Sequence, residues 1–187
     1  MARSRTSRFD DSFSPSVRRH VTLLTVARTI ANASYRFAPP FLATIARGFH
    51  MSISQMGIAL TVSELTGLAS PLVGRRVDAM ARRQALRLGL IGVGVGAIIA
   101  ASSANLAMFT VGIIVLQGSK VAYDVALGAW IADHVPWHKR SAVVGFTETS
   151  WALGMLVGVS ILGLITAALN WRFAYATGAA LVLMIAW

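Results

Sequence analysis

The chain has 187 residues, of which 56% are apolar and only 13% charged, with 17 Lys and Arg against 7 Asp and Glu for a formal net charge of +10. An average soluble domain carries about 25% charged residues, so this composition, with a mean hydropathy of +0.65, excludes an ordinary soluble globule. The absence of cysteine excludes disulfide frameworks and thiolate metal sites.

A bilayer core of about 30 Å takes about 20 helical residues at about 1.5 Å each. Six apolar stretches approach that length, at about 20–45, 54–73, 86–102, 105–130, 141–169 and 171–187. Their length, and the lack of sustained period-two alternation, predict helices rather than strands. The expected fold is all-α, a polytopic membrane protein of six transmembrane helices. Residues 1–19 are Arg- and Ser-rich and read as a disordered basic tail that meets anionic lipid headgroups. Arg18-Arg19, the apolar run that follows and Ala31-Asn32-Ala33 imitate a secretory signal, but Arg28 interrupts the run and the chain stays apolar beyond Ala33. Asp10, Asp11 and the lack of an apolar face argue against an organelle presequence.

The first span places Arg28, Asn32 and Tyr35 on one face, at i, i+4 and i+7. Arg36 lies deeper, just before Pro39-Pro40, where a kink is expected. The second span holds Glu64; the third has no charge in its core. The fourth holds Gln117, Lys120 and Asp124, the last two one turn apart and able to pair. The fifth holds Glu148 and Trp151, and its Gly154-x-x-x-Gly158 reads as a helix-packing seam. The sixth has 15 residues after Arg172, about 22 Å of helix, which predicts that the chain stops inside a longer protein.

Orientation follows from the basic residues. Arg3, Arg5, Arg8, Arg18 and Arg19, the loop arginines 75, 76, 82, 83 and 87, and Lys139 with Arg140 make 12 on one side, against Arg47 and Arg172 on the other. This bias puts the N-terminus in the cytoplasm and the protein in a plasma or bacterial inner membrane. The high positive charge is thus mostly topology, and no aromatic-interleaved basic platform for nucleic acid accompanies it.

Two loops carry motifs. Gly74-Arg75-Arg76-Val77-Asp78-Ala79-Met80-Ala81-Arg82-Arg83 resembles the G-x-x-x-D-x-x-x-R-R/K loop of the major facilitator superfamily, with Ala81 where that family usually has glycine. Gly74 would permit close approach of another backbone, and Asp78 and Arg82 at i, i+4 can pair. Asp133-His134-Val135-Pro136-Trp137-His138-Lys139-Arg140 is similar to the family's D-x-x-P-x-x-x-R loop, and Asn170-Trp171-Arg172-Phe173 to its start of span six. The resemblance covers nearly all of residues 20–187. It implies the first six-helix half of a twelve-helix transporter, with Gly74, Asp78, Arg82, Arg83, Asp133, Pro136 and Arg140 forming a conformational-switch loop pair. Gln117-Gly118 is similar to part of a proton-antiporter motif, but Ile114 stands where its arginine belongs.

Six charges lie within spans: Arg28, Arg36, Glu64, Lys120, Asp124 and Glu148. Each costs about 2.5–3.5 kcal/mol at the bilayer centre unless it faces protein, water or a partner. The balance of three against three predicts mutual neutralisation around a polar cavity lined by spans one, two, four and five, with three and six facing lipid. Counting from the basic side places Arg28, Glu64, Asp124 and Glu148 at similar depths. Burial holds a proton on a carboxylate and a neighbouring cation releases it, so Glu64, Asp124 and Glu148 are candidate proton carriers. Arg28, Arg36 and Lys120 are candidate counter-ions or anion-binding groups, with Asn32, Tyr35, Gln117 and Trp151 as polar or stacking contacts.

The expected function is secondary active transport of a small solute by alternating access, proton-coupled and outward, with a second six-helix half completing the cavity in the lipid bilayer. The alternatives are a non-transporting sensor or scaffold, an uptake permease for an organic anion, and a half that pairs with itself. No phosphate-binding glycine loop, metal-ligand cluster or other enzyme motif is present, so no cofactor or metal is expected. His134 and His138 read as a solvated pair.

Overall fold

The computed structural model describes residues 15–187, apart from the side chains of Ser16 and Ala69. Residues 1–14, with Arg3, Arg5, Arg8 and most of the expected tail, lie outside them. Among the described residues the order is α1 (Pro15–Arg36), a 3-10 turn (Pro39–Phe41), α2 (Leu42–Gly48), α3 (Ile53–Glu64), a 3-10 segment (Leu65–Ala69), α4 (Ser70–Asp78), α5 (Arg82–Ser102) and α6 (Leu106–His134). A 3-10 turn (Trp137–Lys139), α7 (Arg140–Leu153), a π-helical turn (Gly154–Gly158), α8 (Val159–Ala168) and α9 (Trp171–Ala186) complete it. The six apolar stretches correspond to α1–α2, α3–α4, α5, α6, α7–α8 and α9, and no strand occurs among the described residues.

Three of these units are long and apolar enough to cross a membrane: Arg82–Ser102, Leu106–His134 and Trp137–Ala168. The bent pair Ile53–Leu68 and Ser70–Asp78, at 46° to each other, makes a fourth when taken as one span. The other two of the expected six fall short by that measure. α1 carries Arg18, Arg19, Arg28 and Arg36, and α9 has only 16 residues.

Helix starts follow capping chemistry. Ser52 and Gln55 form a reciprocal capping box at α3. Asn105 Oδ1 accepts from the Met108 N–H at 2.9 Å, and Asn170 Oδ1 accepts from the Arg172 and Phe173 N–H groups at 2.9 and 3.3 Å. α1 begins at Pro15 rather than near residue 20, because proline suits a first helical turn and no breaker follows. Helix ends are closed by arginines from elsewhere. Arg140 donates to the Val135 and Ala132 carbonyls at the end of α6, at 3.0 and 2.6 Å. Arg87 Nε also donates to the Ala186 carbonyl at 3.1 Å, tying α5 to α9. Arg172 donates to the Ala101 carbonyl (3.1 Å) and the Ser103 carbonyl at the end of α5. The carbonyls that close α5 and α6 have no intrahelical donor, and a cation is favoured beside them.

Packing depends on small residues. A Cβ on Gly96 would lie 2.7 Å from the Gly112 carbonyl oxygen, and one on Gly112 would lie 2.6 Å from the Ala100 nitrogen, so α5 and α6 touch backbone to backbone. The expected seam at Gly154 and Gly158 is present: they pack on Asn32 and Ala33 of α1. Gly74 differs from expectation, since a Cβ there would meet nothing within 4 Å. Ala81 is extended (φ −60°, ψ 131°), so the glycine of the family pattern has no conformational duty at this position. At the end away from the arginine-rich loops, Phe37, Phe49, Phe109, Trp171 and Tyr175 form a ring cluster with centroids 5.1–5.9 Å apart for five contacting pairs.

Candidate functional site

The residues that meet at mid-depth come from α1, α3, α6 and α7. Arg28 of α1 is the hub. Its Nε donates to Asp124 Oδ1 of α6 at 3.0 Å, and its Nη1 donates to Glu148 Oε1 of α7 at 2.7 Å and to the Thr147 carbonyl at 3.2 Å. Lys120, one turn before Asp124, donates to its other oxygen at 2.5 Å. Lys120 is almost wholly buried, and Arg28 is 13% exposed by side chain, against 35% for Asp124 and 54% for Glu148. One buried and one largely covered cation thus face two carboxylates that remain open on one side. This arrangement can pass a proton or accept a competing charge from a ligand without uncovering the cations.

A second group lies farther from the arginine-rich loops. Glu64, the last residue of α3, accepts from Tyr35 Oη and from Gln117 Nε2, both at 3.2 Å. Tyr35 and Gln117 each stand seven residues beyond Arg28 and Asp124 on their helices, about 10 Å along the axis, so Glu64 is deeper than those groups and not level with them. The cause is that the second span runs on to Asp78, five residues past its expected end. Arg36 stacks over the Tyr35 ring, 4.6 Å from its centroid, and its buried Nε has no hydrogen-bond partner among the described residues. The six span charges therefore divide into a paired four and a separated two, and the expected neutralisation of all six does not occur.

Asn32 donates to Ser150 Oγ at 3.3 Å and ties α1 to α7 between the two groups. Trp151 is half exposed, a turn beyond Glu148, and joins neither group. Residues that sequence reasoning missed are Thr147 and Ser150, both on the fifth span beside Glu148, and Tyr123, whose Oη donates to the Leu24 carbonyl at 2.8 Å. The adjacency of Tyr123 to Asp124 was the available signal.

At the loop end Arg82 Nε donates to Asp133 Oδ2 at 2.9 Å, while its Nη1 donates to Asp78 at 3.4 Å and to the Val77 carbonyl at 3.2 Å. The two motif loops are thereby clamped together. Pro136 starts the short turn from which Arg140 reaches back to α6, and Arg83 stays on the exposed side. No group of three or more His, Cys, Asp or Glu able to hold a metal occurs among the described residues.

Residues 24–187 match the sequence profile of the Major Facilitator Superfamily. The chain belongs to the major facilitator superfamily. Relatives within it include the putative uncharacterized transporter YgaY of Escherichia coli strain K12, 31% identical over 170 residues, covering 89% of this chain and 42% of that protein. Multidrug resistance protein 2 of Bacillus subtilis strain 168 is 27% identical over 148 residues, covering 76% and 36%. The fold matches a bacterial homologue of the human lysosomal transporter Spinster, solved inward-facing and occupied, with a TM-score of 0.81 and 15% identity over 93% of this chain and 43% of that one. The chain thus spans about two fifths of the length of these superfamily members, and its all-α architecture is that of a membrane-embedded superfamily half.

Proposed function

We propose that the full-length protein carrying this chain is a secondary active transporter that moves a small solute outward across a cell membrane by alternating access, in exchange for protons. The N-terminus and the two clamped loops would lie in the cytoplasm, and a second half would close the cavity over the open carboxylates. The observation that carries this reading is the Arg28 bridge, in which one guanidinium from α1 holds carboxylates from α6 and α7. Moving α1 relative to either helix breaks one pair, and a carboxylate that loses its cation while the second half closes over it would take up a proton. Asp124 and Glu148 are the coupling groups in this scheme, and Glu64, held by neutral donors only, is a third. The Bacillus relative is named for multidrug resistance, which outward movement of a solute would suit. Arg36, a cation with an unpartnered Nε, favours one second reading, uptake of an organic anion.

The test uses the full-length protein in liposomes loaded with a pH-sensitive dye, with candidate solutes added on either side under an imposed pH gradient. Solute-dependent proton movement is expected, and its loss when Glu64→Gln, Asp124→Asn and Glu148→Gln are combined. Undiminished proton movement in that triple variant overturns the coupling assignment. A solute-driven proton flow that runs inward with uptake overturns the outward direction.

A further inference from the structure

We propose that the outer face of α5 at its arginine-rich end binds the phosphate headgroup of an anionic phospholipid, with Arg83 and Arg87 as its ligands. The two arginines stand at i, i+4, one turn apart and both exposed. They line a hollow of ≈ 470 Å³ with Ala81, Gln84, Leu88 and Ile91. They also line the adjoining hollow of ≈ 700 Å³ between α1, α5, α6 and α9, to which His20 and Arg82 contribute. Among the described residues no Asp or Glu side chain borders either hollow. The nearest acids of the loops, Asp78 and Asp133, are both engaged by Arg82. Among the described residues neither Arg83 nor Arg87 has a carboxylate partner, and the one hydrogen bond of Arg87 uses its Nε, leaving the terminal nitrogens free. Ala81 supplies no side-chain cap to α5, so N–H groups of the first turn add to the positive field.

The apolar continuation makes this a lipid site rather than a phosphate site. Below the arginines Leu88, Ile91, Val95 and Ile98 are all exposed, at the spacing of a single helix face. From position 88 to 98 is about 15 Å of helix, half of a hydrocarbon core of about 30 Å. That is the depth of one leaflet, as an acyl chain attached to a headgroup at Arg83 and Arg87 requires. α5 and α9 contribute no side chain to the ion network, which opens through α1, α3, α6 and α7, so this face points away from the polar surface. The inference rests on the membrane setting of the superfamily and not on transport.

Native mass spectrometry of the full-length protein in detergent, titrated with phosphatidylglycerol and phosphatidylcholine of the same acyl chains, reads the site directly. Phosphatidylglycerol is expected to bind preferentially. That preference should fall about fivefold in Arg83→Gln and about ten- to thirtyfold when Arg87→Gln is added. Arg83→Lys with Arg87→Lys keeps most of it and controls for misfolding. An unchanged preference in the Gln variants overturns the proposal. So does equal retention of both lipids, or displacement of the lipid by inorganic phosphate at matched concentration. The readout involves no solute or proton flux, so it stands or falls apart from the transport reading.

Discussion

At Arg28 one guanidinium satisfies carboxylates from two other helices and a backbone carbonyl, so its removal exposes three acceptors at once. Hydrogen bonds to charged groups are worth about 1.5–3 kcal/mol each, and breaking a pair leaves the other charge uncompensated. The partial exposure of Asp124 and Glu148 lets water recover part of that loss. Arg28→Met is therefore expected to destabilise the full-length protein by about 1–3 kcal/mol, measured by denaturation in detergent. Arg28→Lys should recover only part, because an ammonium lacks the fork that reaches both acids. A double-mutant cycle with Asp124→Asn isolates the pair; zero coupling would show that the bridge carries no stability. The meeting of Arg28, Asp124 and Glu148 was legible in the sequence, because counting residues from the loops put them at matching depth. The isolation of Glu64 was not. It depends on how far α4 continues, and nothing in Gly74-Arg75-Arg76-Val77-Asp78 forbids helix or demands it.

Between elements, glycine sets the spacing. A Cβ on Gly96 or Gly112 would press into backbone, which cannot rotate away as a side chain can. Gly96→Ala should therefore destabilise the full-length protein by about 1–3 kcal/mol through overpacking. Gly128→Ala, in the same helix as Gly112 but with nothing within 4 Å of its Cβ, should be neutral or stabilising by up to about 1 kcal/mol. Melting of the two variants side by side checks this, and equal shifts would count against backbone contact. The order of the apolar runs was readable because each is bounded by capping residues or charge clusters, while three of them, or four with the bent pair, are long and apolar enough to cross a membrane. The interruptions inside spans were readable only at Pro39-Pro40. The 3-10 segment at Leu65–Ala69 and the π turn at Gly154–Gly158 have no proline, and their glycines also suit plain helix packing.

For the molecule as a whole, apolar exposure has two meanings that area alone does not separate. Trp151 on α7 (50% exposed) and Val95 on α5 (41%) are comparably open and near the middle of their spans. Trp151 lies beside the open carboxylates, while Val95 lies on the face assigned to acyl chains. A membrane-impermeant maleimide should modify Trp151→Cys several-fold faster than Val95→Cys, and the absence of native cysteine in this chain keeps its background low. Equal rates would mean that the carboxylate face is not open to water. The assignment of spans three and six to lipid came from their lack of charge, and the exposed residues Leu88, Ile91, Val95 and Ile98 are the part of α5 it concerns.

The π turn in the fifth span bears on how that span is mapped. The Val159 N–H bonds to the Gly154 carbonyl, five residues back rather than four, so one residue is surplus to the α-helical repeat. Since each residue turns an α-helix by about 100°, a single helical wheel drawn through residues 140–168 is out of phase beyond Gly158 by roughly that angle. Glu148 and Trp151 belong to one wheel, Leu164 and Thr166 to another. Removing one residue from the turn would bring the two wheels into register and leave α8 facing α1 as it does now, whereas removing one from the regular helix on either side would swing α8 by more than a quarter circle.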